Sequence, residues 1–119
     1  MAFTPHWSVE ALETYNRLKR SAEAALEHRR KSRKSKASKA SKAEGLFKQV
    51  HKCITLLFEN PRHPGLQTHE FHSLQHPYDR NAKVLEAYVQ QKTPAAYRLF
   101  WCYGPKQGEI TILSITPHP

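Results

Sequence analysis

The hydrophobic pattern of this 119-residue chain changes period at one place, the turn-rich stretch "NPRHPG" at residues 60–65. Before it, apolar residues recur every three or four positions; after it they gather in short β-branched and aromatic runs. Pro61 and Pro64 cannot continue a helical hydrogen-bond ladder, so the helical part must stop there. Helices first and strands second predict an α+β fold, in which a helical hairpin covers one face of a sheet.

Val9, Leu12, Tyr15, Leu18, Ala22, Ala25 and Leu26 form the stripe of a first helix. Ser8 is its predicted N-cap, with Glu10 at the positive end of the dipole. A second helix is expected from about Glu44 to Glu59, with Leu46, Phe47, Val50, Cys53, Ile54, Leu57 and Phe58 on its apolar side. Beyond the prolines, "VLEAYVQ" (84–90), "YRLFWCY" (97–103) and "EITILSI" (109–115) carry strand signals. "QTHEFHSL" (67–74) is a candidate fourth strand, and the Phe3–Pro5 stretch a very short edge strand. The economical connection is an antiparallel sheet of three to four strands. At 39% hydrophobic, the chain suits one domain over residues 1–119.

Charge narrows the partners. Nineteen Lys and Arg stand against ten Asp and Glu, a formal net charge of +9, which favours polyanions, nucleic acid above all. Eight of the basic residues fall in "HRRKSRKSKASKASKA", residues 28–43, which contains no acid. This reads as a solvated helix extension or linker; the functional alternative is a phosphate-attracting arm using Arg29, Arg30, Lys31, Arg33, Lys34 and Lys36. Cys53 and Cys102 each sit in an apolar run and read as reduced core thiols of a cytoplasmic protein, with a disulfide as the alternative. The first residues lack the pattern of a signal peptide, and no run is apolar enough for a membrane span. Eight histidines raise the question of a metal, but no HExxH helix or paired Cys-His spacing occurs, so no metal or cofactor is expected.

The order of elements, with "LLFENPRHPGL", "THEFHSL", "VLEAYV", "AYRLFWCY" and "ITILSITPHP", resembles the RelE/ParE superfamily of small bacterial toxins. The resemblance implies a toxin of a type II toxin-antitoxin system, held in check by a cognate antitoxin. In the favoured RelE-like branch it acts on the ribosome and mRNA as an endoribonuclease that inhibits translation. The alternatives are a ParE-like DNA gyrase inhibitor or an inactive RNA- or protein-binding relative. In RNA-cutting members the ribose 2'-OH attacks the adjacent phosphorus, which calls for a base, a cation at the phosphate and an acid at the leaving oxygen.

On that resemblance Arg98 aligns with the arginine that contacts the scissile phosphate, and its planar fork suits phosphate oxygens. It can equally be a sheet-holding ion pair with Glu86. His118, just past the last strand, is the candidate general acid, and Glu86 the candidate base, with Glu70 or His72 as alternatives. Tyr88 shares a strand face with Glu86 and is a candidate to stack on a base, or simply a packing ring. Arg62 is read as turn surface that can add to an RNA-facing charge field. His69, His72 and His76 are expected on an exposed segment. Two features depart from the family pattern and support the inactive alternative. Glu70 stands where lysine is common, and the sequence reaches Pro119 without the tyrosine that often follows the last strand.

Overall fold

In the computed structural model, which describes residues 2–31 and 41–117, the elements run β1 (Thr4–Trp7), α1 (Val9–Lys31), α2 (Lys42–Glu59), a 3-10 turn (Pro64–Leu66), β2 (His69–Phe71), β3 (Val84–Tyr88), β4 (Tyr97–Tyr103) and β5 (Glu109–Pro117). The five strands form one sheet in the order β1-β5-β4-β3-β2. The class is the expected one, α+β, but the sheet has one strand more than expected and is mixed. β2 to β5 are antiparallel neighbours, whereas β1 pairs parallel with β5, Thr4 opposite Glu109 and Trp7 opposite Ile112. The reason lies in the connectivity: the helical hairpin returns the chain at the far edge in β2, opposite in direction to β1, and three antiparallel reversals bring β5 back alongside β1 in the same direction.

The junction of β1 and α1 rests on Ser8. Its Oγ accepts the Ala11 N–H at 2.9 Å, the predicted N-cap, and donates to the Leu113 carbonyl at 2.7 Å. Leu113 is the extra residue of a bulge in β5, between Ile112 opposite Trp101 and Ser114 opposite Phe100, so its carbonyl would otherwise lack a ladder partner. This clamp sets the rotation of α1. Ala11, Leu18 and Ala22 face inward, while Val9 and Leu12, read from the sequence as part of the stripe, are 75% and 44% exposed. A small side chain is what fits where the first turn comes this close to the sheet.

α2 begins with a capping box: Ser41 Oγ accepts the Glu44 N–H and the Glu44 carboxylate accepts the Ser41 N–H. Val50, Cys53, Ile54 and Leu57 are its buried residues, and they pack with Leu18 on Ala87, Leu99, Trp101, Ile110, Ile112 and Ile115 of the sheet. Both cysteines are free and buried. Among the described residues no helix is long and apolar enough to cross a membrane. Alternation along the strands leaves Glu86 and Tyr88 of β3, Arg98, Phe100 and Cys102 of β4, and Ser114 and Thr116 of β5 on the face away from the helices.

Candidate functional site

Register brings four polar side chains together on that helix-free face. Tyr88 of β3 stands opposite Arg98 of β4, and His69 of β2 stands opposite Glu86 of β3. The Arg98 guanidinium lies over the Tyr88 ring, 3.7 Å from its centroid, a cation–π stack. The His69 ring meets the same tyrosine edge-on, with centroids 5.5 Å apart.

Glu86 is the hub. Its Oε1 lies 2.5 Å from His69 Nε2, and its Oε2 lies 3.9 Å from Arg98 Nε. Oε2 and Nε are both buried without a hydrogen-bond partner among the described residues. Arg98 Nη1 donates to the carbonyls of Gln90 at 2.8 Å and Tyr97 at 3.2 Å, whereas Nη2 donates to no described residue. The Arg98 guanidinium and the His69 imidazole therefore share one carboxylate. Beside them, Phe71, Ser73, Leu74, Phe100, Ser114, Thr116 and Pro117 line a cleft of about 240 Å³. The Phe71 and Phe100 rings stand 4.4 Å apart in it.

The remaining candidates among the described residues are not part of this cluster. Arg62 is exposed in the turn after α2, where its N–H donates to Asn60 Oδ1. Arg29 pairs with Glu44 at 3.0 Å, tying the end of α1 to the start of α2; Arg30 is exposed, and Lys31 pairs with Glu27 at 3.5 Å. His118, Arg33, Lys34 and Lys36 lie outside the described residues. Glu70 pairs with Lys83 at 2.6 Å, and that lysine holds its carboxyl below the usual range, while His72 lies 3.9 Å from the same carboxylate.

The expectation of three exposed histidines holds for His69 and His72 but not for His76, which is buried. His76 Nε2 reaches the Tyr103 carbonyl at 3.0 Å and Nδ1 accepts the N–H groups of Tyr78 and Asp79, each at 3.1 Å. It folds the 72–83 loop back onto β4, and Tyr78 completes the latch with a 3.0 Å hydrogen bond to Thr111. The tyrosine ring packs over Gly104, whose φ of 118° and missing Cβ leave room for it. His69 is the residue that sequence reading passed over. Only the β2–β3 register, set across the 72–83 loop, reveals its partner.

Two solved structures resemble the whole molecule. A YoeB/ParE toxin from Agrobacterium tumefaciens superposes with a TM-score of 0.59 over 98% of this chain and 99% of that one, at 7% identity. The chain has the YoeB/ParE toxin fold. The YoeB dimer of Staphylococcus aureus gives 0.56 over the full length of both chains, at 12% identity. At these identities the YoeB/ParE likeness is one of fold. No family model matches the sequence. A stretch of 51 residues, 43% of the chain, is 37% identical to nucleosome assembly protein 1-like 3 of rat and of mouse. That match spans only 10% and 9% of the length of those proteins.

Proposed function

We propose that the chain is the toxin of a toxin-antitoxin pair and a ribosome-dependent endoribonuclease that cuts mRNA in the cytoplasm. The observation that carries this reading is the convergence of Arg98, Glu86, Tyr88 and His69 on the one sheet face left free by the helices. Arg98 supplies positive charge at the scissile phosphate, and Tyr88 holds its guanidinium in plane. The neighbouring cleft, with its aromatic floor, accepts an adjoining base. A net charge of +9 speeds encounter with the ribosome and its message, and suits an acidic antitoxin segment.

A second reading, a non-cutting relative that binds RNA, an antitoxin or, as in the gyrase-directed branch, a protein target, is favoured by burial. Arg98 is 7% exposed and spends one terminal nitrogen on backbone carbonyls, as a structural arginine would. Primer extension on mRNA from a translating extract separates the two, with Arg98→Lys as control and circular dichroism to verify folding. The expected result is new, ribosome-dependent cuts that Arg98→Lys reduces at least tenfold. Intact message with the folded protein sinks the cutting reading.

A further inference from the structure

We propose that His69 is the general acid of this site and that Glu86 is the residue that holds it in place; this rests on the RNA-cutting reading above. Glu86 is a poor candidate to meet a ribose hydroxyl, because its side chain is 5% exposed, whereas that of His69 is 47% exposed. A catalytic group must touch the substrate, and of this pair only the histidine reaches solvent.

Both ring nitrogens of the histidine face acceptors. Nδ1 faces the Gln67 carbonyl at 3.1 Å and Nε2 faces Glu86 Oε1 at 2.5 Å. A carbonyl only accepts, and a carboxylate only accepts, so the ring satisfies both by carrying a proton on each nitrogen. If the shared proton rests on Oε1 instead, the pair still holds two protons. The charged groups facing the imidazole are Glu86 from β3 and, behind it, Arg98 from β4, with the Tyr88 ring alongside.

The step balances without metal or cofactor. The 2'-oxygen forms its bond to phosphorus and loses its proton to water. The P–O5' bond breaks, and its electron pair takes the proton from His69 Nδ1, which lets go of the exposed Gln67 carbonyl. The products are a 2',3'-cyclic phosphate and a 5'-OH. The neutral imidazole keeps its Nε2 proton on Glu86 and regains the other from solvent. His69 thus takes the part that family resemblance gives to His118.

The test is single-turnover cutting on ribosomes programmed with two messages, one normal and one with sulfur replacing the bridging 5'-oxygen at the cut site. A thiolate leaves without an acid. His69→Gln is expected to slow the normal message by about 10²- to 10⁴-fold and the sulfur message by less than tenfold. Glu86→Gln is expected to shift the fall of the pH–rate profile to lower pH. Imidazole ¹⁵N shifts should report both His69 nitrogens protonated at neutral pH in the intact protein and only one in Glu86→Gln. Equal losses on both messages, an unaffected His69→Gln, a sulfur-rescued defect in His118→Gln alone, or a neutral His69 ring in the intact protein each overturn the proposal. If the intact protein cuts neither message, the RNA-cutting reading falls and this assignment falls with it; cutting that is insensitive to His69 removes only the assignment.

Discussion

β4 presents two faces that are equally buried and chemically opposite. Leu99 and Trp101 point toward the helices, Arg98, Phe100 and Cys102 away from them, and none of the five is more than 7% exposed. The helix side is sealed by apolar side chains alone. On the other side, burial is achieved with charge. Arg98, Glu86 and His69 shield one another, while His76 and Tyr78 pull the 72–83 loop across the strand end. Burying a guanidinium and a carboxylate costs several kcal/mol per ion before their attraction offsets it. The helix-free face is therefore the less stable of the two, and the one able to gain from a bound anion.

The largest expected effect lies on the helix side. Trp101→Ala should lower unfolding stability by about 3 to 5 kcal/mol, measured by denaturant titration. Next is the charged side: Glu86→Ala strands Arg98 and His69 and should cost about 3 kcal/mol. The double variant Glu86→Leu with Arg98→Met should recover most of that loss while abolishing any cutting. If it does not, the polar cluster is needed for the fold itself and the contrast between the faces fails. Ser8→Ala, which frees both the Ala11 N–H and the Leu113 carbonyl, should cost about 1 to 2 kcal/mol.

Smaller effects come from acid. Arg29, Lys83 and His6, each beside its carboxylate, hold Glu44, Glu70 and Glu109 below the ordinary glutamate value of 4.5. A carboxylate whose folded pKa is depressed contributes stability in full above the unfolded value and loses it as pH falls through the folded one. Stability should therefore be flat in these groups above about pH 5 and decline below 4.5, with Arg29→Gln removing only the Glu44 share. The smallest effect is none at all. Burial pushes the thiols of Cys53 and Cys102 up to about 12 and about 11, so a thiol reagent at neutral pH should label neither until the chain opens. Cys102 lies on the charged face; faster labelling there than at Cys53 would show that this face opens first.

Much of the helix side was readable in the sequence, because burial by apolar residues writes its own period. The stripe of α2 and the three main strands lie where repetition puts them, to within a few residues. The stripe of α1 misleads at Val9 and Leu12, since a tertiary contact, the Ser8 clamp on the bulge, rotates the helix. The polar side is legible only in part. Arg98, Glu86 and Tyr88 are recognisable as odd residues in apolar strands. His69 is one of eight histidines, on a strand of three residues, and spacing along the chain carries no register across a loop. Nor does periodicity predict the parallel edge, because β1 is four residues long and carries a proline.

That edge imposes an order on manufacture. β1 lies at the edge of the sheet beside β5, and the Ser8–Leu113 hydrogen bond joins residues 105 positions apart. At roughly 5 to 20 residues per second, a ribosome takes about 5 to 20 s to bridge that gap. Throughout that interval the first strand waits without a sheet to join, and the helices that follow it lack most of the surface they cover. A nascent chain is thus a hairpin of helices in search of a floor. The helix-free face is among the last parts to be built, so its charged cluster cannot assemble until β4 has been made.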